Sequence, residues 1–134
     1  MLKDNFYSLI EMNSFPLAET GKENPGTGCS FFVMLKEDHP VYGGHFPGNP
    51  VVPGVCQIEM IRELASLFLD RDLVLRKADS IKFLSVIRPD IPGRLKVDLE
   101  IRTREEILTD IVATISGQEQ VFLKFRGKFN TRQA

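Results

Sequence analysis

"VCQIEMIRELASLFL", residues 55 to 69, runs without glycine or proline, and its apolar residues Ile58, Ile61, Leu64, Ala65 and Phe68 recur at helical spacing. That spacing predicts one main helix of about four turns. On a helical wheel Glu59 falls beside Arg62, Glu63 and Ser66, opposite the apolar stripe. Downstream the period changes to two. In "LKVDLEIR" (95–102), Leu95, Val97, Leu99 and Ile101 face one way and Lys96, Asp98, Glu100 and Arg102 the other. In "VFLKFRGKF" (121–129), Val121, Leu123, Phe125 and Phe129 oppose Lys124, Arg126 and Lys128. Such alternation marks antiparallel strands covered on one face only.

Working outward, "CSFFVMLK" (29–36), "DSIKFLSVI" (79–87) and "ILTDIVATIS" (107–116) read as further strands. "SGQEQ" (116–120) reads as a hairpin turn and "RPDIPG" (88–93) as a turn holding two prolines. Leu2, Phe6, Leu9 and Ile10 suggest a short amphipathic helix over residues 2–12, and "GKENPGTG" (21–28) is a loop by composition. One long helix with several long antiparallel strands implies an α+β domain with the sheet curled about the helix. At 134 residues the chain suits a single domain spanning 1–134.

Composition narrows the function. Hydrophobic content of 43% with 26% charged residues is ordinary for a globular protein. A formal net charge of -1 argues against a general nucleic-acid binder. The basic residues are unevenly spread, however: Lys124, Arg126, Lys128 and Arg132 lie between Val121 and Ala134 with no acid among them. Cys29 and Cys56 have neither metal-ligand spacing nor a histidine cluster nearby, so no metal site is expected and free thiols in a reducing cytoplasm are. The start "MLKDNFYSLIEM" carries acidic residues and lacks a sustained apolar run, so it does not read as a signal peptide. No stretch approaches the roughly 18 apolar residues of a membrane span.

The stretch "GGHFPGNPVVPGVCQIE" (43–59) leads directly into the helix and carries the chemistry. By pattern alone Glu59 reads as a solvated glutamate on the polar helix face, and His45 as a surface-loop residue. Two features argue otherwise. Pro47, Pro50 and Pro53 stiffen the loop, a poor use of proline in an unconstrained turn. The loop also ends at Gly54, so the first N–H groups of the helix point at whatever the loop encloses. A histidine, a carboxylate and a helix N-terminus together can supply an acid/base pair and a donor that polarises a carbonyl. That suits lyase or hydrolase chemistry on a carbonyl compound.

"GHFPGNPVVPGVCQIE" resembles the active-site signature of the beta-hydroxyacyl-acyl carrier protein dehydratases of the FabZ type, HFPGxPxxPG followed by a glutamate fourteen positions after the histidine. "SIKFLSVIRPDIPGRL" (80–95) resembles that family's later strand and PG turn, and "SGQEQVFLKFRGKF" its closing hairpin. The chain departs from the family in lacking the PHRxPFLLVDR segment and in placing Arg94 after the PG turn, where an acid is common. The resemblance implies a hotdog fold, a helix wrapped by a curved antiparallel sheet. It implies a homodimer, or a multiple of dimers, joined sheet edge to sheet edge, each site taking its histidine and carboxylate from different protomers. His45 and Glu59 become the catalytic pair, Gly54 the carbonyl-polarising donor, and Phe46, Pro47, Gly48 and Pro53 the loop against the substrate.

The reaction so implied is dehydration of a (3R)-hydroxyacyl thioester on acyl carrier protein to the trans-2-enoyl product, in fatty-acid or polyene- and polyketide-type synthesis, with no cofactor. Glu rather than Asp at position 59 favours plain dehydration over added isomerisation. A hotdog thioesterase, or a non-catalytic subunit that binds acyl chains, remains open. Acyl carrier proteins resemble one another in being strongly acidic, so the partner surface is expected at Lys124, Arg126 and Lys128 with Arg76, Lys77 and Lys82. Each of these singly also reads as a solvated residue.

Overall fold

The computed structural model describes residues 2–18, 26–44, 48–105 and 107–132. The elements are β1 (Tyr7–Pro16), β2 (Gly26–Leu35), the single turn α1 (Val41–Gly44), α2 (Gly54–Leu69), β3 (Leu73–Phe83), β4 (Leu95–Thr103), β5 (Leu108–Gly117) and β6 (Gln120–Thr131). All strand pairs are antiparallel, in the order β1-β2-β4-β5-β6-β3. One long helix on a six-stranded antiparallel sheet is the hotdog architecture that the sequence implied. Among the described residues no helix is long and apolar enough to cross a membrane.

β4 buries the face predicted for it, and of the face predicted in β6 Leu123, Phe125 and Phe129 are buried. Leu95, Val97, Leu99 and Ile101 of β4 and Ile111, Ala113 and Ile115 of β5 are closed to solvent, as are Cys29, Phe31 and Val33 of β2. The helix packs Met60, Ile61, Leu64 and Ala65 into this core. Its buried face is turned from the predicted stripe: Gln57 and Glu63 are buried, while Ile58 and Phe68 are only partly covered. The helix ends at Asp70, a non-glycine residue in the left-handed region (φ 52), where the Arg71 N–H closes back on the Ser66 carbonyl at 3.1 Å.

Sequence reading failed wherever a bulge broke the alternation. Residues 2–12 are not a helix; a turn at Asp4–Phe6 leads into β1. A register shift between Leu9 and Glu11 hides that strand's period. β3 starts at Leu73 rather than Asp79 and stops at Phe83, because two shifts, at Leu75/Lys77 and Ala78/Ser80, interrupt its pattern. The expected loop over 21–28 yields to strand at Gly26, and residues 21–25 lie outside the described residues. In β6, Val121 is exposed while Phe122 and Leu123 are both buried, since a shift at Ile115/Ser116 inserts Phe122 as an extra residue. The Phe122 carbonyl accepts the Leu84 N–H at 2.8 Å and so fixes the chain leaving β3.

Glu63 was placed on a solvated helix face, yet it is 4% exposed. Its carboxylate accepts the backbone N–H groups of Leu2 at 2.8 Å and Lys3 at 2.9 Å, with the Tyr7 hydroxyl at 3.4 Å. Burial first, then the neighbouring Glu63, holds the Tyr7 hydroxyl protonated far above the ordinary tyrosine range. Removing this acceptor strands two amides and a phenol. Glu63→Ala is therefore expected to lower unfolding free energy by about 1–3 kcal/mol, read as a lower midpoint in urea. An unchanged midpoint would show that the anchor contributes nothing.

Candidate active site

The Gly/Pro loop joins α1 to α2. His45, Phe46 and Pro47 lie outside the described residues. Beyond them Gly48 adopts φ 85, a left-handed conformation that glycine alone takes without strain. The rest of the loop is tied to the turn at 88–93: Arg88 donates to the Asn49 side-chain oxygen at 2.8 Å, and the Val52 N–H donates to the Ile87 carbonyl at 2.7 Å. Pro53 then sets the N-cap with φ -61 and ψ 145, and no side chain caps the helix. The N–H groups of Gly54 and Val55 consequently have no intrahelical acceptor. Gly54 is thus the first residue of α2.

Close approach explains the glycine at position 54. A Cβ there would lie 2.7 Å from the edge of the Phe83 ring. Phe83, Leu84, Ser85 and Val86 form, with Val52, Gly54 and Gln57, a mainly apolar concavity of about 310 Å³ against the helix start. Inside its wall the Gln57 amide donates to the Val52 carbonyl at 3.3 Å, and the other amide atom, Oε1, is buried without a partner among the described residues. Glu59 lies on the same helix but is not part of that lining.

Glu59 is not simply solvated. Arg62 Nε meets its two oxygens at 2.9 and 3.0 Å, and Arg62 Nη2 reaches Oε1 at 2.6 Å. This hydrogen bonding raises the Arg62 guanidinium further above its already high range. The pair at 59 and 62 was legible as two residues on one face, but that Arg62 grips the carboxylate with one edge of its fork was not. Cys56, in the first turn, occupies a position that often activates a thiolate. Burial, and next the Glu59 charge, push its pKa up instead, and burial pushes Cys29 up to about 11. A cysteine nucleophile is thereby disfavoured, leaving the carboxylate and the helix start as the chemically equipped groups described.

The expected basic face divides in two. Lys128 and Lys77 both pair with Asp79, at 2.8 and 3.7 Å, and the Lys128 hydrogen bond is the first cause of the lowered Asp79 pKa. Lys82 lies directly opposite Lys124 in the β3–β6 register, and with Arg126 these two line a surface concavity of about 530 Å³. No ion pair to Lys82, Lys124 or Arg126 is formed among the described residues.

Residues 21–124 match the family ApeI-like, described as ApeI dehydratase. The 3-hydroxyacyl-[acyl-carrier-protein] dehydratase FabZ of Lactobacillus helveticus is 37% identical over 86 residues, 58% of this chain and 57% of that protein. Among solved structures, the dehydratase heterocomplex ApeI:P of Xenorhabdus doucetiae superposes with a TM-score of 0.60 at 19% identity, over 92% of this chain and 96% of that one. The Lactococcus lactis protein yhdA, assigned to the thioesterases, superposes with a TM-score of 0.65 at 8% identity, over 93% and 94%. The backbone path alone thus does not choose between dehydration and hydrolysis.

The raised thiol pKa values have a direct readout. At pH 8 both thiols should be largely protonated, so Ellman's reagent should leave buried Cys29 unmodified and react slowly with half-buried Cys56 until the protein is unfolded. Rapid stoichiometric labelling of the folded protein would contradict this.

Proposed function

The chain belongs to the ApeI-like dehydratase family, and on that premise we propose that it removes water from (3R)-hydroxyacyl thioesters carried on acyl carrier protein. The observation that carries the reading is the junction of loop and helix. A motif of the form HFPGxPxxPG ends on an uncapped helix N-terminus, with Glu59 farther along the same helix and an apolar concavity beside Gly54. The Gly54 N–H would donate to the thioester carbonyl oxygen, which makes the C2 proton acidic. His45 takes that proton. The C2–H electron pair becomes the C2=C3 bond and the C3–O bond breaks; the hydroxyl, positioned by the Glu59 carboxylate, leaves as water with the proton that His45 took from C2. The step changes no oxidation state and returns His45 and Glu59 to their starting forms.

A second copy completes the site in this reading. β3 is an edge strand, and Ile81, Phe83, Leu84 and Val86 on and after it are exposed, as is Val55 on the helix. An uncovered apolar edge invites pairing with another chain. That Glu59 is absent from the concavity of its own chain supports a site in which a second copy's Glu59 meets His45. The carrier would dock on Lys82, Lys124 and Arg126, whose clustered like charges favour an acidic partner. The free cysteines support a cytoplasmic location.

His45→Ala and Glu59→Gln should each lower turnover by about 10²–10⁴-fold with fold and assembly intact. Mixing the two inactive variants should restore part of the activity, because some mixed dimers would hold an intact site. Near wild-type turnover by either variant rejects the mechanism, and thiol release without enoyl product identifies hydrolysis instead. No recovery despite measured subunit exchange rejects the shared site.

Charge steering of the carrier weakens with ionic strength. The kcat/KM for carrier-bound substrate should therefore fall as salt rises to physiological levels, with kcat little changed, while a short uncharged thioester responds far less. Charge reversal at Lys82, Lys124 and Arg126 should remove the difference. Equal salt responses for both substrates would reduce the cluster to a solvated face.

A further inference from the structure

We propose that Arg62 is a positioning residue, holding the Glu59 carboxylate in one rotamer by fixing its own guanidinium to the start of β3. The inference rests on the reading of Glu59 as the carboxylate that positions the leaving hydroxyl. An exposed glutamate has several rotamers of similar energy, and a flexible carboxylate is in place only part of the time. An isolated surface pair three residues apart would do little to change that. Arg62 differs in how its far edge is held. Arg62 Nη1 donates to the Leu73 backbone carbonyl at 3.0 Å and lies 3.3 Å from Asp72 Oδ1.

The Leu73 carbonyl is a fixed point, because Leu73 is fully buried and paired with Thr131 across β3 and β6. Its N–H is also held by the Ser66 hydroxyl at 3.1 Å. The Arg62 side chain is 22% exposed. The planar fork therefore transmits the position of the sheet to the carboxylate: one edge is set by the strand, and the other presents Nε and Nη2 to Glu59. Asp72 is not needed for this, being an exposed carboxylate that also pairs with Arg132 at 2.8 Å.

The chemistry asks for such a clamp. The carboxylate must hold the hydroxyl as the C3–O bond breaks, and an error of about 1 Å can lower the rate about 10²-fold. A lysine would keep the charge but lose the two-edged geometry.

The test is steady-state kinetics on Arg62→Gln, Arg62→Lys, Asp72→Asn and Glu59→Gln, each first shown by circular dichroism to be folded. Arg62→Gln is expected to lower kcat by about 10–10²-fold with KM unchanged, and Arg62→Lys to recover only part of the loss. Asp72→Asn should retain wild-type kcat. In the Glu59→Gln background, Arg62→Gln should lower the residual rate by less than about twofold, since residues acting as one unit are not additive. Full kcat in Arg62→Gln with Glu59→Gln inactive would overturn the clamp while leaving the dehydratase reading standing. Full dehydration by Glu59→Gln would overturn the clamp together with the role of Glu59 in the mechanism. A multiplicative loss in the double variant would assign Arg62 a role independent of Glu59, and if Arg62→Gln does not fold, full kcat in Arg62→Lys would reject the fork.

Discussion

Burial of one face of α2 is the constraint from which the rest of the molecule follows. Met60, Ile61, Leu64 and Ala65 have no solvent exposure, and each large side chain so buried contributes about 1.5–3 kcal/mol. They belong to one core cluster with the inward residues of β2, β4, β5 and β6, and this packing sets the rotation of the helix about its axis. With 3.6 residues per turn, that rotation leaves Glu59 and Arg62 at the margin of the contact and brings Gly54 against Phe83. The site is a by-product of packing rather than an addition to it.

Glu59 and Glu63 stand one turn apart and meet opposite fates. The first is held by an arginine at the edge of the protein, and the second is enclosed and surrounded by N–H and O–H donors. What separates them is the turn at Asp4–Phe6, which brings Leu2 and Lys3 onto the helix. A buried carboxylate is tolerated when it accepts several hydrogen bonds. The same residue type on the same helix thus serves as a structural acceptor in one position and remains reachable in the other.

These contrasts explain what could be read from the sequence. β4 was legible because it keeps strict alternation with one face buried, and the helix because Gly54 and Asp70 bound an uninterrupted run. β1 and β3 were obscured by bulges, where a single extra residue moves every later side chain to the other face. In the candidate site, Glu59 and Gly54 were singled out from a motif whose residues are consecutive or one helix away. Arg62 and Gln57 were not, because their partners, the Leu73 and Val52 carbonyls, are backbone atoms that carry no side-chain signature. The fate of Glu63 was hidden for the same reason. His45, Phe46 and Pro47 were singled out by the motif and fall outside the described residues.

The docking of Leu2 and Lys3 on Glu63 bears on how this protein should be handled. Lys3 lines the same shallow concavity, of about 330 Å³, as Arg62 and Asp72. Any affinity tag or fusion joined ahead of residue 2 would therefore leave the surface within reach of the carboxylate clamp. Added chain that pulls on those two amides would strain the helix on which Glu59 stands. For biochemical work and for immobilisation on a sensor surface, attachment at the other terminus is the sounder choice, since the Lys36 ammonium donates to the Asp4 carbonyl within the anchoring turn.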